Sequence, residues 1–120
     1  MHNFRELEVW KKAVMLATTY YECSKTFPRE EIFGLTSQSR RCVVSIASNI
    51  AEGAGRDSSK QFVQFLGIAL GSAFEFETQI IIADRLDYLS DHESYTLKEE
   101  ITHIENMLIR LIARLKESAT

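Results

Sequence analysis

Between Ser58 and about Leu89 the chain repeats apolar side chains at helical spacing without confining them to one side. Phe62, Phe65, Ala69, Ala73, Phe76, Ile80 and Ala83 step by three and four along the centre. Val63, Leu70, Phe74 and Ile81 spread to one flank, Ile68 and Leu86 to the other. Placed at 100° intervals they cover roughly 240° of the helix, against about 100° for a one-sided surface helix. Such a helix is ~45 Å long, and one 120-residue chain cannot cover that much of it. The pattern predicts partners inside the chain and a further copy outside it, hence a homo-oligomer. Val63, Gly67, Leu70, Gly71, Phe74 and Ile81, with Ile109 further on, form the candidate oligomer interface. Gly67 and Gly71 sit four apart, either by chance or to let another backbone approach; glycine costs a helix up to ~1 kcal/mol, which favours the packing reason.

The segment before this helix, Ser45 to Lys60, reads as a helix end, a stop at Gly53 and Gly55, and a new start capped by Ser58. Both glycines can adopt the positive φ that ends a helix, and a serine oxygen suits an N-cap. The first helix shows Leu7, Trp10, Val14, Ala17 and Tyr21 on one face and ends before Pro28. The second begins near Thr36, a plausible N-cap, with Leu35, Cys42, Val43, Ile46 and Ile50 as its stripe. The fourth carries Leu97, Ile101, Ile104, Leu108, Leu111 and Leu115, a bundle seam broadened by Met107, Ile109 and Ile112. Helices over about 4–25, 35–52, 58–89 and 93–117, in one domain 1–120 with a frayed tail at Ser118–Thr120, predict an antiparallel up-down-up-down four-helix bundle.

Beside the apolar stripe of the second helix runs a polar line: Gln38, Arg41, Ser45, Asn49 and Glu52, spaced three, four, four and three. It carries hydrogen-bonding side chains where a solvent face would carry more Lys and Glu. Two readings fit: a seam against another helix or subunit, or a mildly polar flank. Gln61, Ser72, Glu75 and Gln79 make a similar line on the third helix. The hairpin brings the two lines together, and Arg41 is expected to interact there, Glu75 being its best partner.

Catalytic chemistry is not legible. Glu100-Ile101-Thr102-His103 matches one half of a di-iron element, but no second copy exists and His103 points ~120° from its helix's apolar seam. His2 and His92 have no ligand or triad constellation around them. Cys23 and Cys42 lack zinc or redox spacing and read as reduced thiols. Gly53-Ala54-Gly55 before a helix start falls short of a phosphate loop, though weak anion contact with Arg56 and Lys60 is compatible with it. No cofactor, metal or enzymatic activity is expected. No signal-type N-terminus and no uninterrupted apolar run of ~20 residues appears, so the cytoplasm is expected and no membrane partner.

Net charge is −3 and the pI about 5.6, which excludes a global basic field. Basic residues gather at two places, Arg40, Arg41, Arg56 and Lys60 near the hairpin, and Arg110, Arg114 and Lys116 on the last helix. In one copy such groups are ordinary solvated surface; repeated by ring symmetry they can track a phosphate backbone.

Certain motifs occur in order: Phe4-x-x-Leu7-x-Val9-Trp10, Phe27-Pro28, Gly34-Leu35-Thr36-x-Gln38, Ser45-Ile46-x-x-Asn49-Ile50-Ala51-Glu52-Gly53-x-Gly55-Arg56 and Ala69-x-Gly71-Ser72-x-x-Glu75. Over about residues 4–115 the chain resembles the ribosomal-protein-like four-helix bundles encoded in intervening sequences of bacterial large-subunit ribosomal RNA genes. The resemblance implies a homopentameric ring. It extends to the accessory variability protein of diversity-generating retroelements, a basic pentamer that binds nucleic acid and partners a reverse transcriptase; the acidic balance here departs from that protein. Asn49, Glu52, Gly53, Arg56, Ser72 and Glu75 fall on the motif positions and read as structural. The expected function is a non-enzymatic, homo-oligomeric binding or scaffold bundle contacting RNA or a nucleic-acid-handling protein. The alternatives are a protein–protein assembly factor without nucleic-acid contact and, distantly, a metal or small-ligand enzyme.

Overall fold

A computed structural model describes residues 1–118; of the tail expected to fray, Ser118 instead ends the last helix, and Ala119 and Thr120 lie outside the described residues. It contains α1 (Glu8–Ser24), α2 (Leu35–Ala54), α3 (Ser59–Arg85) and α4 (Asp91–Ser118), plus 3-10 turns at Phe4–Glu6 and Arg29–Glu31, and no strand among the described residues. α2 and α4 each pack on both α1 and α3, while α1 and α3 lie on the diagonal and touch through core side chains. Neighbours run antiparallel, as three cross-helix contacts show. Tyr20 and Ser39 hydroxyls lie 2.7 Å apart, the Cys42 thiol donates to the Ser72 carbonyl at 3.1 Å, and Lys98 meets Asp84 at 2.9 Å. The four helices thus go up and down in turn, with extents of 48 × 23 × 20 Å.

The hinge between α2 and α3 forms for a different reason from the one its glycines advertise. No glycine has positive φ; α2 runs on to Ala54, and Gly55 caps it at φ −81°. Gly53 is needed for space. A Cβ there would meet Phe65 Cβ at 2.6 Å, Phe62 Cδ1 at 3.0 Å and the Phe62 carbonyl at 3.2 Å. Ser58 does cap α3, accepting from the Gln61 N–H at 3.2 Å. Thr36, expected as an N-cap, is instead buried inside α2; Gly34 precedes the helix, and Glu31 Oε1 accepts from the Leu35 N–H at 3.1 Å.

α3 stops at Arg85, short of the expected Leu89, because Asp87 takes the left-handed conformation (φ 61°) and the Tyr88 N–H returns to the Ala83 carbonyl at 2.9 Å. α4 starts at Asp91 behind a reciprocal capping box: Ser90 N–H donates to Glu93 Oε1 at 2.9 Å and Glu93 N–H to Ser90 Oγ at 3.1 Å.

The core follows the expected stripes of α2 and α4, though Leu111 is only half-buried. On α1 the buried face is Val9, Ala13, Leu16, Tyr20 and Ser24, about one residue away from the expected set, leaving Val14 and Tyr21 38% and 41% exposed. Tyr20 decides the rotation. Its ring meets Phe76 and Phe27 edge-on at 4.7 and 6.0 Å, and its hydroxyl is satisfied by Ser39. On α3, Leu66 is fully buried and Phe65 half-buried, the reverse of the expected order, and Gln79 is buried.

Of the candidate interface residues, Val63 and Leu70 pack against the core and Ile81 is half-buried, a correction to their expected exposure. Antiparallel pairing with α4 turns that flank inward. Phe74 and Ile109 are exposed, and around a Cβ built on Gly67 or Gly71 nothing lies within 4 Å. Ile68, Ile82 and Leu86 join this outward face. An 18-residue window of α3 has mean hydropathy 1.4, enough by length and composition alone to cross a membrane; it is the helix on which α2 and α4 both pack.

Candidate nucleic-acid interface

The bundle topology sorts the charges by end. His2 N–H reaches the Ala54 carbonyl at 2.8 Å and its ring lies 5.0 Å from Phe62, so the N-terminus sits on the α2–α3 hinge. The start of α1 also lies beside the last turns of α4, the two sharing a cleft with Arg110 and Arg114. Residues 1–16, 45–72 and 105–118 therefore share one end, which carries eight Lys and Arg against six Asp and Glu. The other half carries six against eleven. An acidic chain thus presents a net positive hinge end and a strongly negative far end.

Each basic candidate has its own setting. Arg40 is structural: Nε donates to Ser24 Oγ at 2.8 Å, an Nη to the Tyr21 carbonyl at 3.2 Å, and the guanidinium lies 4.7 Å from the Tyr21 ring, holding the end of α1. Arg41 is exposed in the other half of the bundle, fifteen positions or ~22 Å along α2 from Arg56. The four residues read as one cluster near the hairpin therefore split in two. Arg56 is tied to Glu52 at 3.1 Å and lies 4.7 Å from the Phe65 ring centre. Lys60, Arg110 and Arg114 are exposed and make no hydrogen bond or ion pair among the described residues. Arg5, Lys11 and Lys12 also lie at this end and were not singled out from sequence; the signal was the antiparallel order, which seats the first sixteen residues against the last.

The two polar lines meet as expected along part of their length. Gln38, Arg41, Ser45, Ser72 and Glu75 line a groove of about 260 Å³ between α2 and α3, floored by Cys42. Arg41 and Glu75 share it without forming an ion pair, contrary to expectation; Glu75 instead accepts from Gln79 Nε2 at 3.4 Å. Asn49 turns back to the Ser45 carbonyl at 2.8 Å and Glu52 to Arg56, so the lower end of the line serves its own helix. Burial, reinforced by Glu75, pushes the Cys42 thiol up to about 12, and burial with Glu93 pushes Cys23 to about 11. Both stay protonated and unreactive at neutral pH. No group of three or more His, Cys, Asp or Glu among the described residues is placed to hold a metal, and His103 is exposed.

A carboxyl pair that sequence reasoning missed joins α3 to α4. Glu105 is buried, one of its oxygens has no partner, and Glu77 faces it. Burial first, then the hydrogen bond and charge of Glu77, raise the Glu105 pKa to about 8.

Residues 5–110 match the profile of the family described as 23S rRNA-intervening sequence protein. The chain belongs to that family. Among solved structures it is similar to a Bacteroides thetaiotaomicron VPI-5482 protein of the S23 ribosomal protein family, itself described as of unknown function. The two are 26% identical over 87% of this chain and 97% of that one, with a TM-score of 0.77. A comparison with curated proteins gives no match. The residues on which the resemblance was read have a physical role here: Gly53 gives room to Phe62 and Phe65, Arg56 ties Glu52 to the Phe65 ring, and the Ser72 carbonyl receives the Cys42 thiol.

Proposed function

We propose that this family member is a non-enzymatic, self-associating bundle of the cytoplasm that contacts RNA through its hinge end. The observation that carries the reading is the separation of charge along the axis, which gives a chain of net charge −3 a local positive end. Arg5, Lys11, Lys12, Arg56, Lys60, Arg110, Arg114 and Lys116 supply it; Arg40 and Arg41 do not. The family's link to ribosomal RNA genes agrees with an RNA target.

Self-association multiplies that end. Two separate apolar surfaces support it: the outer face of α3 with Ile68, Phe74 and Ile82, and a groove of about 400 Å³ between α1 and α2 that includes Val14, Tyr21 and Val44. Different patches on different sides favour head-to-tail contact, which closes into a ring such as a pentamer rather than a two-fold dimer.

RNA retention should fall steeply with salt, and Arg56→Glu with Lys60→Glu should abolish it at moderate salt. Salt-independent retention, or none at low salt, sinks the reading. Mass in solution tests the ring; a monomer at micromolar concentration removes it. A second reading, a protein–protein assembly factor, draws on the outward groove that Arg41 and Glu75 line without pairing with each other; loss of a partner protein on Arg41→Glu, with no RNA bound, would favour it.

A further inference from the structure

We propose that the cleft between the start of α1 and the last turns of α4 receives one unpaired nucleotide, making the hinge end selective for single-stranded over duplex RNA. This rests on the hinge end being the RNA contact. The cleft has a volume of about 280 Å³ and joins two unlike surfaces. Arg110 and Arg114 stand one helical turn apart at its lip, both exposed and, among the described residues, both without a hydrogen bond or ion pair. Glu8, which shares the cleft, is engaged by Lys11 at 3.2 Å and leaves the arginines free. Between them and α1 the floor is apolar, from half-buried Leu7, Met107 and Leu111.

Guanidiniums at four-residue spacing suit consecutive contacts to a phosphate rail. Any nucleic acid offers that rail. The floor makes the distinction, because a duplex keeps its bases stacked inside and has nothing apolar to place there. An unpaired strand can turn one base inward to cover Leu7, Met107 and Leu111 while its phosphates stay on Arg110 and Arg114. Glu6 at the rim, whose carboxylate has no partner among the described residues, is placed to accept a base N–H. On the other side of the hinge, Arg56 is already occupied by Glu52 and Phe65, so it offers a rail contact only.

The test measures binding of the full chain to a polyuridine strand and to an RNA duplex of matched length at one salt concentration. The expected preference for the single strand is about tenfold, the scale of shielding one small apolar patch from water. Met107→Ser should erase the preference and keep duplex affinity; Arg110→Gln with Arg114→Gln should weaken both. In the unmutated protein, 4-thiouridine in the strand should crosslink to peptides holding Leu7 or Met107. Equal affinity for the two RNAs, or crosslinks confined to other peptides, overturns the cleft and leaves hinge-end RNA contact standing. Retention of neither RNA at low salt overturns both.

Discussion

α3 makes two seams, and they are built on opposite plans. Against α2 it is close-packed: Gly53 and Cys42 meet Phe62, Phe65 and Ser72, and the polar groups, Arg41 and Glu75 among them, open into a groove. Against α4 the core is Leu97, Ile101, Ile104 and Leu108, and the seam also takes in two charged pairs, Asp84 with Lys98 and Glu77 with Glu105. Both pairs share one register, seven residues apart on each helix. The first seam is specified by what cannot fit, the second by protonation. Steric rules leave the α2 seam indifferent to pH, whereas the α4 seam responds to it in two directions.

The largest effect should come from filling the tight seam. Gly53→Val puts two methyls where even a Cβ is 2.6 Å from Phe65, and should cost about 3 kcal/mol, read as a lowered urea midpoint. An unchanged midpoint would mean that the seam yields, and the contrast with α4 would fade.

Next is Glu105. Its folded pKa, about 8, lies above the ordinary carboxylate value of 4.5, so the folded chain holds the proton more tightly than the unfolded one. The stabilisation is complete below about pH 4.5 and is lost as pH climbs toward 8. Glu105→Gln should flatten the stability profile across that window. Asp84 works the other way, held below its usual range first by the Lys98 hydrogen bond and then by that of Ser94. Its share is present above the ordinary Asp range and disappears as acid protonates it. Lys98→Met should move the Asp84 titration upward by NMR, with little change in global stability.

The smallest effect is a gain. Gly67→Ala and Gly71→Ala meet open space and should each add up to ~1 kcal/mol in the isolated chain. If the same changes also dissociate an oligomer, the outer face of α3 is the contact between copies.

Much of this was legible from spacing. The α2 and α4 stripes, the Ser58 cap and the convergence of Gln38, Arg41 and Ser45 with Ser72 and Glu75 all follow from three-and-four periodicity plus one hinge. What failed needed the partner. Gly53 carries no mark that distinguishes missing space from unusual φ. The α1 face was misassigned because Val14 and Tyr21 are apolar yet exposed, while Tyr20 and Ser24 are polar yet satisfied inside. Glu105 reads as surface until Glu77 is opposite it, and Asp87 gives no sequence sign of the left-handed turn it makes. At the candidate interface the arginines were visible, but their division between ends came only from the fold.

The segregation of charge also makes each copy an electric dipole about 48 Å long. A polyanion approaching it feels torque before contact and arrives end-on, and this steering fades once the Debye length falls below ~10 Å near 0.1 M salt. Were copies to stand side by side in parallel, as the proposed ring would have them, like poles would meet, and an anion bound at the hinge end would relieve their repulsion. In that assembly, capture of the anion and association of the copies would be thermodynamically coupled, each favouring the other.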